Sequence, residues 1–204
     1  MKQLIQKKMN KMKTKLLMTV ILLLTIVSFA QSQTSQHLTF KGVSIDGTLD
    51  KFVSKMKQNG FTEIGTEAGV ARLKGDFASY EGCNVVVSTL KGKDLVSNVT
   101  VYFPKQDAWS SLASNYFNLK ELLTEKYGQP SKSVENFTSF VQVDDGLKMQ
   151  QVYLDNCNYV TTYETEKGSI QLSIKSNNSN AFVILTYSDK ISGNIIRAKA
   201  KDDL

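Results

Sequence analysis

Short turns built from Gly, Asn and Asp cut most of this chain into brief apolar-alternating runs, and runs joined that tightly pair only antiparallel. The runs Thr62–Thr66, Val70–Lys74, Phe77–Tyr80, Asn84–Leu90 and Val96–Phe103 read as strands. Ala68-Gly69, Gly75-Asp76, Glu81-Gly82 and Gly92-Lys93-Asp94 separate them. A second group, Ser133–Val143, Leu147–Leu154, Tyr159–Glu164, Ser169–Lys175 and Ala181–Tyr187, reads the same way. Its turns are Asp144-Asp145-Gly146, Glu166-Lys167-Gly168 and Asn177 to Asn180. Leu38, Phe40 and Val43 suggest a short strand ahead of both groups, closed by Ile45-Asp46-Gly47.

Each group follows a helix. Leu49, Phe52, Val53 and Met56 form one helical stripe, with Thr48 as the expected N-cap and Asn59-Gly60 as the stop. Trp109, Leu112, Ala113, Tyr116, Leu119, Leu123 and Tyr127 form a longer one, expected over Ala108–Lys126 with Asp107 as cap. Gly128 and Pro130 end it. The expected fold is α+β: an antiparallel sheet with the two main helices packed on one face. Cys83-Asn84-Val85-Val86 and Cys157-Asn158-Tyr159-Val160 share C-N-x-V, which opens a reading as two pseudo-repeated α-then-β units.

The start of the chain follows different rules. Six lysines and no acid precede the uncharged run Leu16–Phe29, and Ser28-Phe29-Ala30 supplies a small-x-small site. That is the pattern of a cleavable signal peptide over residues 1–30, with cleavage after Ala30 and Met1, Met9 or Met12 as the start. The run is short for a membrane span, which needs roughly 17–25 residues. A polar linker at 31–36, a single domain at 37–190 and a polar tail at 191–204, a short helix or frayed end, complete the expected plan. Of the 25 Lys and Arg in the chain, the leader holds six, against 19 Asp and Glu elsewhere. The expected mature chain from Gln31 is therefore neutral, and the precursor's net +6 is no argument for nucleic-acid binding. No membrane span is expected after cleavage. The expected destination is the periplasm or the extracellular space.

The segments LTFKGVSIDGTLDKFVSKMKQNGF, LKGDFASYEGCNVVV, WSSLASNYFNLKELLTEKYGQPS and the ending YSDKI…DDL resemble uncharacterised secreted proteins of Bacteroidetes-type bacteria. The resemblance covers nearly all of the expected mature chain and implies a Gram-negative exported protein, with no activity attached. The helix-plus-sheet plan also resembles saddle-shaped periplasmic modules of the lactamase-inhibitor-protein type, in architecture alone.

Few residues carry chemistry. Export would place Cys83 and Cys157 in oxidising surroundings, where a disulfide between them is expected to stabilise the fold by roughly 4 kcal/mol. The other reading is two separately buried thiols. His37 is the single histidine, and it stands at the start of the domain without a nucleophile signature elsewhere. One His and two Cys do not assemble a usual zinc site, and Asp144-Asp145-Gly146 is only a fragment of a calcium loop. No phosphate-binding glycine loop is present, so no cofactor is expected. Tyr153, Tyr159, Tyr163 and Tyr187 lie on or beside predicted strands and are the candidate binding residues of an open sheet face. The expected function is a non-enzymatic exported module that holds a protein, peptide or glycan. The alternative is an envelope hydrolase acting on glycan or peptidoglycan through an Asp/Glu pair.

Overall fold

Period-two alternation becomes one long sheet. The computed structural model describes residues 36–138, 144–177 and 180–202. The expected signal peptide, the linker up to residue 35 and the strand end at 139–143 lie outside the described residues. A two-stranded hairpin, β1 (Thr39–Phe40) and β2 (Val43–Ser44), leads into helix α1 (Leu49–Gln58). Four strands follow: β3 (Thr62–Glu67), β4 (Val70–Phe77), β5 (Tyr80–Thr89) and β6 (Val96–Tyr102). Helix α2 (Trp109–Tyr127) then precedes β7 (Lys132–Phe137), helix α3 (Asp145–Tyr153), β8 (Cys157–Thr165), β9 (Gly168–Asn177), β10 (Asn180–Asp189) and helix α4 (Lys190–Asp202).

Strands β3 to β10 form an eight-stranded antiparallel sheet in the order β3-β4-β5-β6-β10-β9-β8-β7. The class is α+β. Two meanders meet where β6 pairs with β10, through Val99 opposite Tyr187 and Val101 opposite Leu185. Each meander is preceded by a helix. The C-N-x-V match does not follow this plan, because Cys83 lies on the third strand of one meander and Cys157 on the second strand of the other.

One parity of every central strand is buried. Leu73, Val85, Val101, Leu185, Leu172 and Thr161 form one such row, partnered strand to strand. Leu49, Phe52, Val53 and Met56 of α1, with Trp109, Leu112, Tyr116, Leu119 and Leu123 of α2, join them in a single core. Burying a large aliphatic or aromatic side chain contributes roughly 1.5–3 kcal/mol, so this shared face carries the fold. Phe40 closes one end, stacked on Phe77 at 5.0 Å and edge-on to Tyr187 at 5.4 Å.

Several local expectations change. Leu147–Leu154 is not a strand but lies in and just after α3, with Met149 and Val152 buried at helical spacing. The Asp144-Asp145-Gly146 signal is a cap rather than a plain turn: Asp144 Oδ1 accepts from Leu147 N at 2.9 Å. Gly75-Asp76 and Glu81-Gly82 are not turns. The real turn between β4 and β5 is Ala78-Ser79, both at positive φ (50° and 66°) as a tight hairpin requires. Thr48 makes no side-chain cap bond, and its role passes to distant Asp94, whose Oδ1 accepts from Leu49 N at 2.9 Å. Ala108, not Asp107, stands at the N-cap of α2.

Asp189 ties three elements together. Its side chain is fully buried. It accepts from Leu38 N at 2.8 Å, from Ser192 N in the first turn of α4 at 3.1 Å, and contacts His37 Nδ1 at 3.0 Å. The carboxylate thus caps α4, where the helix dipole favours negative charge, and pins the β1 end of the chain. Gly168 makes the close approach possible: a Cβ there would stand 2.2 Å from Ser188 O. Asp189→Ala strands the buried donors and is expected to lower stability by about 3 kcal/mol, against under ~0.5 for exposed Asp107→Ala. Urea midpoints read both, and equal midpoints would remove the clasp from the account.

Candidate functional site

With α1, α2 and α3 packed on the buried parity, the opposite parity of the sheet is the surface open to a ligand. It is ordered in rows that run across the strands, each residue paired to the next. One row reads Arg72, Val86, Thr100, Thr186, Gln171, Thr162 and Lys132 from β4 to β7. The next reads Lys74, Asn84, Tyr102, Ile184, Ser173, Val160 and Val134. Beyond it Phe182 pairs with Lys175. The row on the other side begins at Glu67 and ends at Glu164, with Ser88, Asn98, Ser188 and Ser169 between. Tyr102 and Phe182 meet edge to face at 5.6 Å, and the Thr100 and Thr186 hydroxyls meet at 3.3 Å. These central side chains are half-buried, while Arg72, Lys74, Lys132 and Lys175 are exposed.

None of the four candidate tyrosines lines this surface. Tyr163 and Tyr187 are 1% and 4% exposed, on the helix-covered parity. The Tyr163 hydroxyl donates to Lys120 O of α2 at 2.9 Å, which explains a buried phenol. Burial also drives the Tyr187 phenol far above its ordinary pKa. Tyr159 packs edge-on to Trp109 at 5.2 Å, between helix and sheet. Tyr153 lies on α3 rather than on a strand. Tyr102 and Phe182 are the aromatics that the sequence pattern missed. The parity of β6 and β10 was readable, but which parity the helices cover was not.

The disulfide is also overturned. Cys83 and Cys157 are free and buried. They sit on β5 and β8, four strand positions apart in the sheet. At about 4.8 Å per step that is roughly 19 Å, far beyond the reach of a disulfide. Burial pushes the Cys83 thiol up to about 11 and the Cys157 thiol up to about 12, so neither is an active nucleophile at neutral pH. Intact-mass analysis without reductant is expected to show two free thiols. Maleimide should label both within minutes in guanidinium and only slowly in buffer; a mass short by one disulfide would overturn the assignment.

Other polar clusters are structural. His37 is not a mobile surface residue: its ring lies between Asp189 at 3.0 Å and Asp46 at 3.5 Å. A cleft of about 610 Å³ beside the start of α1 gathers Asp50 and Asp94, but Asp94 is the cap of α1. Lys120 Nζ donates to Ser133 Oγ at 3.1 Å and pairs with Glu135. Tyr116 Oη and Thr161 Oγ1 continue the network at 2.6 Å. The Lys120–Ser133 pair has the atoms of a nucleophile and base, yet both are bound to the Glu135 carboxylate, Lys120 through its ammonium and Ser133 through its hydroxyl. Among the described residues, no three His, Cys, Asp or Glu gather to hold a metal, and no helix is long and apolar enough to cross a membrane.

Partial burial raises the Glu135 carboxyl, but its bonds from Lys120 and Ser133 outweigh this and hold it below the ordinary value of 4.5. The network's stability is therefore complete above that value and drains away as pH falls through the lower folded one. Glu135→Gln should narrow the gap in urea midpoint between about pH 7 and about pH 3, by under ~1 kcal/mol for this part-exposed group. An unchanged gap would mean the network does not titrate with folding.

No protein-family model, curated protein or solved structure matches the chain.

Proposed function

We propose that this chain is an exported, non-enzymatic binding module that holds a protein, peptide or glycan on the uncovered face of its sheet. The observation that carries the reading is the one-sided architecture: α1, α2 and α3 all serve one parity, and the other presents Tyr102, Phe182, Ile184, Thr100 and Thr186 over a rigid sheet. A surface built on paired strands is preorganised, so a ligand loses little by meeting it. Export follows from the leader pattern over residues 1–30 and from the resemblance to secreted bacterial proteins. Three carboxylates that a hydrolase could have used are already engaged: Asp94 and Asp189 as helix caps and Glu135 with Lys120.

A photo-cross-linking residue at Ile184, in the middle of the face, tests this in the cells that make the protein. The same residue at exposed Lys126 of α2 is the control. Adducts confined to position 184 are expected. Equal adducts from both positions, or none from either, would sink the reading.

A further inference from the structure

We infer that the uncovered face takes a linear acidic polysaccharide laid across the strands, with Arg72 and Lys132 holding it at the two ends of one row. The inference rests on the face being a binding surface and names the ligand class.

Three observations lead there. The first is charge. Arg72 and Lys74 on β4 and Lys132 on β7 stand toward the flanks of two adjacent rows, Lys175 stands on β9 in the next, and no carboxylate lies in the paired positions of those rows. Among the described residues none of the four cations has an ion-pair partner. Their charge is therefore available to a ligand. Glu67 and Glu164 end the next row and bound the basic region on one side, which repels an anion from that edge.

The second is the lining between the cations. Thr100, Thr186, Gln171 and Thr162 form an unbroken run of hydroxyl and amide groups, with Asn84 and Ser173 in the adjacent row. Such groups both donate and accept, as sugar hydroxyls do. Tyr102 and Phe182 add aromatic surface beside them. The third is what the face lacks. The exposed large apolar side chains Ile64, Phe117, Leu122, Leu147, Tyr153, Leu154 and Ile196 lie on β3, on helices or just beyond one, none in these rows. The apolar side chains that stand in the rows, Val86, Tyr102, Phe182, Ile184, Val160 and Val134, are half-buried, and the exposed groups are the four cations with Gln171 and Asn84. The solvent-facing chemistry of the face is therefore cationic and polar, which suits a hydroxylated polyanion.

The geometry also sets a length. Arg72 on β4 and Lys132 on β7 are separated by six strand steps, about 29 Å along the row. A chain long enough to reach both cations gains from two linked contacts, and a fragment that reaches one does not.

The test uses protein expressed from Met1 and purified as the host processes it. Probes are polygalacturonate, its short oligomers, neutral dextran and single-stranded oligothymidylate, read by calorimetry at low salt. Polygalacturonate is expected to bind, its shortest oligomers and dextran not. Arg72→Glu with Lys132→Glu should weaken polygalacturonate at least about tenfold, while Lys126→Glu on α2 changes little. Circular dichroism of both variants checks folding, and Arg72→Gln with Lys132→Gln serves if the reversal unfolds. Oligothymidylate binding as tight as polygalacturonate would overturn the inference in favour of a nucleic-acid surface. No binding of polygalacturonate would also overturn it. Adducts at position 184 in cells would then still support a binding face, whereas their absence would remove both.

Discussion

β6 and β10 lie far apart in the chain and side by side in the sheet, and their pairing decides nearly everything else. It joins two four-stranded meanders into one surface and sets Val99 against Tyr187 and Val101 against Leu185. A slip of one residue would turn Ala181, Val183, Leu185 and Tyr187 outward and bring Phe182 and Ile184 beneath the helices. The core and the uncovered face are therefore two consequences of one register. Mutating the face for function and mutating the core for stability act on alternate residues of the same strands.

The termini are held by a different force. A fully buried carboxylate at Asp189 accepts from backbone at both ends of the domain, at Leu38 and at Ser192. Burying a charge is costly unless its hydrogen bonds are complete, and here the bonds come from a helix start, a strand start and His37. That places the single histidine in a structural clasp. The imidazole and the carboxylate beside it are thereby engaged with each other and with backbone donors.

The sheet's chemistry is distributed rather than focused. Among the described residues the half-buried polar network around Lys120, Ser133 and Glu135 ties α2 to the edge strand pair β7 and β8. What varies across the uncovered face is charge by row, acidic at one end and basic toward the other. A shallow, row-ordered surface suits an extended ligand better than a compact one, because contact is spread along a line and no cavity encloses it.

The helices α1 and α2 were legible in the sequence because their apolar stripes run for several turns, and the antiparallel class was legible because the turns are too short for crossovers. α3 was not: Leu147-Lys148-Met149 begins with strand-like alternation, and only packing of Met149 and Val152 against the core selects the helix. The α1 cap moved from Thr48 to Asp94, a contact across 45 positions that no local pattern encodes. The cysteines allowed a disulfide on composition, and strand order separates them. Period two shows that each strand has two faces, but it does not say which one the helices will cover. Tyr163 and Tyr187 went under the helices and Tyr102 and Phe182 came out for that reason alone. By itself the sequence determined the two long helices, the antiparallel class, the leader pattern and the neutral charge of the chain after residue 30. Tertiary structure decided which alternate residues meet solvent, since that depends on pairing between segments that are distant in sequence.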